Sequence, residues 1–570
     1  SGNRGRCSQP CRAQYLTTPE GKNFPLNLKD NSAFNDLQEL YDAGVDSLKI
    51  EGRMKGFHYV YTVVNSWRNL LNNFYTLNKP NSDDTDLYRV FNRDFTNSFL
   101  TGDINKNMFI DNPRDNSALY FSEKNECTTE EGIKKIKTEL HELRTEIISN
   151  VKNKISELNV EKSPLKICFS GKAGVPLRVS ITIADTSFVV LSETTLVPAR
   201  SGTGSPTNKK NSFEGLDCEN LHQKLESINK TEHFIQKMEL ENLQSGLFLP
   251  LKELSSIKKR ILFSLNGSKE NIAPIETPFL KKQKKLKIES TLSVLISSRQ
   301  QLGECQETTA DLFFQLPSYY NDDYSELVDL FLENKELTPW FPSVLIGKDY
   351  TAAIDILQRV NPKRIVTNNT GIAYEAYKMG IPWVAGPYLN SVNSFSLLCL
   401  KENFNCSGSF ISNEISKDQI KKIITPEDFK LYYSIYHPIL LLTSRQCLFH
   451  QIDGCNKSTI NEECNLQCSR FSSITNLKNI PLLVNKTKGY YHRIYNNSNL
   501  LNADIVTDLP DMFSSFFIDL TDVKTATNIS MDNIGIIKIF ENLLNGNPDS
   551  KIELEKTIHP SSNIQYIKGI

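Results

Sequence analysis

The sequence predicts an α/β protein in three parts. These are the C-terminal piece of a truncated TIM-like (β/α) barrel, a small β-rich middle domain, and a second TIM-like (β/α) barrel. Three observations predict this. Residues 1–80 read as strand, helix, strand, helix. Between Leu165 and Glu193 apolar and polar residues alternate, the period of a half-buried strand. From residue 290 onward short apolar runs recur with helical stretches between most of them, the pattern of buried parallel strands. The chain has 570 residues, room for about three to four domains.

In the first part (1–80), FPLNLKD is a strand running into a turn. NSAFNDLQELYDAGV is an amphipathic helix with Phe34, Leu37, Leu40 and Tyr41 on one face, capped by Asn31 or Ser32. Gly44 stops it, DSLKIEGR is a short strand, and FHYVYTVVNSWRNLLNNFY is a long helix. Residues 81–159 are a connector, polar and irregular at first and then a charged helix over 129–158. Residues 160–265 hold the antiparallel strands LKICFSG, LRVSITIAD and SFVVLSE, a flexible loop PARSGTGSPTNKKNSFEG, and an α/β tail. Residues 266–289 are a Lys-rich linker.

In the last part (290–570) the expected strands are TLSVLISS, ADLFFQLP, FPSVLIG, RIVTNN, IPWVAGP, GSFISN, PILLLTS and SFFIDL. Eight strands suit a (β/α)8 barrel, whose reactive groups gather at strand C-termini. TNN (367–369), GP (386–387), SN (412–413) and TSRQC (443–447) fall at such ends.

Hydrophobic residues make up 39% and charged residues 23% of the chain, and net charge is −1. That is a globular balance without a global signal for polyanion binding. Locally, residues 251–289 carry ten Lys/Arg against four Glu, either a solvated linker face or an RNA-backbone contact. No apolar run approaches the ~20 residues of a membrane span. The twelve cysteines are clustered and unevenly spaced, which suits a reducing cytoplasm with metal sites better than a disulfide scaffold.

Four of the cysteines, Cys447, Cys455, Cys464 and Cys468, form a C-x7-C-x8-C-x3-C array. Four thiolates in so short a span can hold zinc or a [4Fe–4S] cluster. The spacing lacks the paired C-x2-C knuckles of a zinc ribbon. On the predicted barrel the array would sit at the mouth. Cys7 and Cys11 repeat the C-x3-C half, and neither pair belongs to a C-x3-C-x2-C triplet. No HExxH, G-x-S-x-G or Walker A sequence is present.

NRGRCSQPCRAQY (3–15) and LYDAGVDSLKIEGRMKGFHYVYTVVNSWR (40–68) resemble the signature of the collagenase-like peptidase family, family U-thirty-two. Later blocks, among them VTNNTGIAYEA, AGPYLNSVNSFS and YHPILLLTSRQCLFHQIDGC, resemble its large two-barrel subgroup, and the likeness runs from residue 3 to about 545. The resemblance implies a bacterial RNA-modifying enzyme that forms 5-hydroxycytidine on 23S ribosomal RNA without molecular oxygen. It implies [4Fe–4S] clusters and prephenate as the small-molecule hydroxyl donor. It also implies two further cysteines upstream of Ser1 that complete a first cluster with Cys7 and Cys11, so the chain is expected to be a fragment. The alternatives are a collagenase-like peptidase and a non-catalytic iron–sulfur scaffold. The oligomeric state is not legible.

Site candidates follow from both lines. Lys49, Glu51 and Arg53 alternate onto one face at a predicted strand end. Arg53 or Lys49 would grip carboxylates, and Glu51 would carry a proton or hold Lys49; a structural ion network is the other reading. Arg4 and Arg12 flank the first cysteines, as compensation for cluster charge, as RNA contacts or as surface residues. Asn368, Asn369, Asn390 and Asn393 are amides at strand ends, able to read a base edge or to cap helices. His437 is a substrate-contact candidate or a core histidine.

Overall fold

The computed structural model describes the chain except for residues 1–8, 52–54, 78–83, 92, 112–115, 158–161, 185, 200–214, 267–279, 281–288, 306, 321–322, 458 and 570. The chain divides into two compact units, residues 1–147 with 279–570, and residues 148–278.

The first unit begins with helices α1 (Leu37–Asp42) and α2 (Phe57–Leu77). The apolar stripe of α2, Val63, Leu70 and Phe74, packs with Phe34 and Leu37, as helical spacing requires. A charged helix, α3 (Glu130–Glu157), follows, its residues from 148 onward belonging to the second unit. The expected strands at 24–30 and 46–53 are largely absent. Residues 45–51 have no regular structure, and of the first there remain the pairing of Asp30–Asn31 with Phe95–Thr96 and an isolated bridge between Leu28 and Phe109. A strand needs a neighbour for its N–H and C=O groups, and among the described residues DSLKIE has none. A first barrel is therefore not observed among the described residues.

In the unit of residues 148–278, strands β1 (Ser163–Gly171), β2 (Pro176–Ile183), β3 (Thr186–Thr195) and β4 (His233–Leu243) form a sheet in the order β3-β2-β1-β4. The three alternating segments are the antiparallel strands expected. The fourth is parallel to β1 and half-exposed, and its Lys237 and Glu239 mask its strand character in the sequence. Leu165, Ile167 and Phe169 of β1 pack with Leu254, Ile257 and Ile261 of helix α5 (Leu251–Leu265), which follows α4 (Cys218–Leu225).

The rest of the first unit is a closed barrel. Its parallel strands are β5 (Thr291–Ile296), β6 (Asp311–Gln315), β7 (Thr338–Phe341), β8 (Ile365–Thr367), β9 (Trp383–Ala385), β10 (Cys406–Phe410) and β11 (Lys430–His437), closed by β17 (Ser515–Asp519). β17 pairs with β11 on one side and β5 on the other, which completes eight parallel strands. One residue per strand fills the interior: Leu295, Phe313, Trp340, Val366, Val384, Phe410, Tyr432 and Phe517. Their neighbours one step along, such as Val294, Phe314 and Tyr433, face outward into the core shared with the helices.

Two expected strands are displaced. FPSVLIG is not a strand beyond Phe341, because TPWF just before it fills that place. The seventh barrel strand is KLYYSIYH, not PILLLTS. Tyr432, Tyr433 and Tyr436 are buried in it. PILLLTS instead contributes β12 (Leu440–Ser444) to an antiparallel sheet inserted between the seventh and eighth barrel strands. That sheet also holds β13 (Arg470–Thr475), β14 (Pro481–Lys486) and β15 (His492–Tyr495), in the order β12-β15-β14-β13. β16 (Asn499–Leu501) returns antiparallel to β11. No helix among the described residues is long and apolar enough to cross a membrane.

Candidate active site

At the C-terminal ends of the barrel strands lies a chamber of about 910 Å³, the size of a small-ligand site. Trp340 and Phe517 form its floor, their rings stacked at 5.0 Å. Polar groups come from strand ends: Asn368 after β8, Asn413 after β10, His437 closing β11 and Asp519 closing β17. The inserted sheet supplies the facing wall, with Asn485, Arg493 and Tyr495.

The Asn368 Oδ1 accepts the Tyr388 backbone N–H at 3.0 Å and so fixes the loop after β9. Gly386 makes room for it, since a Cβ there would lie 2.2 Å from that oxygen. Asn413 donates through Nδ2 to Ser434 O at 2.8 Å. Asp519 accepts the Thr521 backbone N–H (2.9 Å) and hydroxyl (2.6 Å) through Oδ1. Burial nonetheless raises its carboxyl to about 6. Burial also lowers His437 to about 4, and its Nδ1 has no hydrogen-bond partner among the described residues. Arg493 meets Ser318 Oγ at 3.4 Å and forms no ion pair with a described carboxylate.

The four cysteines of the array line a second, small cavity, with His450, Lys486 and His492. It lies behind the inserted sheet rather than at the end of a barrel strand. Asn485 and Arg493 are cross-strand partners facing the chamber. The next pair, Lys486 and His492, faces the cysteines. Period-two alternation thus puts the two cavities on opposite faces of one ribbon.

Burial pushes the Cys447 thiol up to about 11, against the backbone N–H groups of Phe449 and His450, which favour its thiolate. The Lys486 ammonium is 2% exposed and donates to Thr487 O at 3.1 Å and to Gly489 O. Burial lowers its pKa, and the nearby Cys468, Cys447 and Cys464 oppose that shift. Both His492 nitrogens and His450 Nδ1 are buried without partners among the described residues. A buried cation without a carboxylate, and orphaned ring nitrogens, are what a thiolate-bound anionic centre would leave around itself. As placed, the thiols surround the cavity without closing on a point: among the described residues no three His, Cys, Asp or Glu side chains converge on a single-ion site.

The N-terminal segment docks beside this cavity. Leu16 N–H donates to Thr475 O at 2.9 Å and Thr18 Oγ1 to Gln451 O at 2.7 Å. Cys11 and Cys447 pack against the same apolar cluster, around Tyr15, Phe449 and Ile494. Arg12 turns inward, donating to Asn27 Oδ1, Leu28 O and Asp30 Oδ1.

The other sequence candidates scatter. Lys49 and Glu51 pair at 2.9 Å on the surface, 85% and 67% exposed, and line neither cavity. Asn369 and Asn393 cap the helices Thr370–Lys378 and Ser394–Phe404. Asn390 sits in a left-handed turn outside the chamber lining. Arg4, Cys7 and Arg53 lie outside the described residues. Sequence reasoning put SN (412–413) at a strand end without singling out Asn413, and missed Asp519, Arg493 and Lys486. Asp519 was within reach, two residues past the inward Phe517 on a recognised strand. Arg493 and Lys486 required the unrecognised hairpin β14–β15.

Fold and site together define a parallel-barrel protein with a polar chamber at its strand ends and a thiol-lined cavity behind one wall. Residues 1–109 match the model of peptidase family U32. The chain is 33% identical over 118 residues to the tRNA hydroxylation protein P1 of Bacillus subtilis (strain 168), which is 18% of this chain and 28% of that protein. It is 33% identical over 112 residues to a collagenase of Porphyromonas gingivalis, 18% of this chain and 31% of that one. It is 43% identical over 77 residues to the 23S rRNA 5-hydroxycytidine C2501 synthase of Escherichia coli (strain K12), 12% of each. The chain thus spans less than a third of each of these relatives. No solved structure matches it.

Proposed function

We propose that the chain belongs to an RNA-hydroxylating enzyme that forms 5-hydroxycytidine on 23S ribosomal RNA in the cytoplasm, with a [4Fe–4S] centre held by Cys447, Cys455, Cys464 and Cys468. The observation that carries this reading is that these four thiols line one cavity, together with the buried Lys486. The relatives named for tRNA and rRNA hydroxylation support the substrate. Bound in that cavity, the cluster would supply one-electron transfer, with zinc as the structural alternative.

The chain's own residues do the rest. Arg493 grips an anionic group of the substrate or of a carboxylate hydroxyl donor such as prephenate. Asn413 orients what enters the chamber. Asp519 holds or releases a proton at Oδ2 near neutral pH, because burial has brought its pKa there. The ribbon β14–β15 keeps water in the chamber apart from the thiols.

Two measurements test this. Anaerobically purified protein should show a broad charge-transfer band near ~400 nm; a colourless protein with one zinc refutes the cluster. Ribosomal RNA from a deletion strain should lose 5-hydroxycytidine, and unchanged RNA refutes the activity. The collagenase-named relative motivates one control, gelatin cleavage with and without chelator. Chelator-insensitive cleavage would favour a peptidase.

A further inference from the structure

We infer that the barrel chamber is a binding site for one nucleoside monophosphate unit, taken either free or as a nucleotide extruded from RNA. For the second source the inference rests on the function proposed above; for the first it stands without it.

Size, shape and chemistry converge on this ligand. A small carboxylate would engage Arg493 and leave most of the 910 Å³ empty. A nucleotide brings three features the chamber can meet at once. Its flat base matches the Tyr388 ring, 53% accessible and lining the same chamber as the stacked Trp340 and Phe517. Its edge, of mixed donors and acceptors, matches groups that internal bonds leave open. These are Oδ1 of Asn413, whose Nδ2 is already committed, and Oδ2 of Asp519, whose Oδ1 takes both Thr521 contacts. Such a set tells one base from another, because a mismatched edge leaves a buried group unpaired. Its phosphate matches Arg493, the guanidinium of the wall.

The charge lining the chamber favours a ligand with a single phosphate. Apart from Arg493 and Asp519, the described lining carries one cation, Lys488, against four carboxylates, Asp323, Glu326, Glu414 and Asp522, so a chain of phosphates would meet carboxylates. An RNA strand therefore has to present a single flipped nucleotide, with its flanking phosphates held away from this rim.

The test is calorimetric titration of the full chain, purified anaerobically, with cytidine 5′-monophosphate, adenosine 5′-monophosphate, cytidine, inorganic phosphate and a short single-stranded RNA. One monophosphate should bind at least about tenfold more tightly than cytidine or phosphate, the worth of one charge-assisted contact. Arg493→Gln should remove that increment and leave nucleoside binding unchanged. Tyr388→Leu should weaken nucleoside and monophosphate alike. Thermal melts establish that both variants fold; Tyr388 is exposed enough that its loss spares the core. Monophosphate binding no tighter than phosphate alone overturns the inference. So does the absence of binding, or indifference to both substitutions. RNA that competes for the chamber identifies the extruded nucleotide as the source, and RNA that does not identifies the free one. If the deletion strain keeps its RNA modification while the monophosphate still binds, the hydroxylase reading falls and the chamber assignment stands.

Discussion

Asp519→Asn should make the protein more stable at neutral pH, and more so the higher the pH. Asp519 titrates at about 6 in the fold against an ordinary 3.8. At ~1.4 kcal/mol per pH unit of displacement, its charged form costs the folded state about 3 kcal/mol once ionised. Between pH 3.8 and 6 the native protein binds the extra proton, so stability from this group is full below 3.8 and falls as pH rises through 6. Asparagine cannot ionise, yet its Oδ1 can accept both Thr521 contacts. The advantage of the variant should therefore widen by about 1.4 kcal/mol between pH 5 and 7.5. His437 has the opposite slope. Its pKa is depressed from 6.5 to about 4, so its contribution is present above 6.5 and lost as pH falls through 4. It is common to both proteins and cancels in the difference. Urea unfolding of wild type and variant at both pH values, followed by Trp340 and Trp383 fluorescence, gives that difference from the midpoints. A gap that is flat or narrows with pH would falsify the claim that Asp519 is desolvated in the chamber.

Three further outcomes follow from the geometry. Gly386→Ala drives a methyl to 2.2 Å from Asn368 Oδ1 and should cost about 1–3 kcal/mol of stability, read by thermal melting; an unchanged midpoint refutes the close packing there. Lys486→Met should reduce iron retained after anaerobic reconstitution, by removing the buried cation that faces the thiols. Equal iron content and equal visible absorbance would show that Lys486 offsets no cluster charge. Arg12→Ala removes contacts to Asn27, Leu28 and Asp30 and should loosen the N-terminal segment. Limited proteolysis before Leu16 should then accelerate, and an unchanged cleavage rate would mark Arg12 as dispensable to docking.

The sequence by itself determined which segments would be buried, and hence much of the secondary structure. The alternation at 165–193 became β1 to β3, and the apolar runs from 290 became most of a closed barrel, because side-chain period and burial are local properties. The reach of TNN and SN to the chamber followed from strand polarity alone. Tertiary structure decided the remainder. DSLKIE is apolar and alternating enough for a strand, but pairing needs a partner, and Lys49 and Glu51 are left on the surface. PILLLTS and KLYYSIYH are equally apolar, and only closure of the barrel selects the second as its wall and sends the first into the inserted sheet. That sheet determines what the cysteines face. Their spacing showed that a metal centre was possible. Only the cross-strand pairing of Asn485 with Arg493 and of Lys486 with His492 puts the thiols on one face of a ribbon and the chamber on the other, because register is set by contacts distant in sequence.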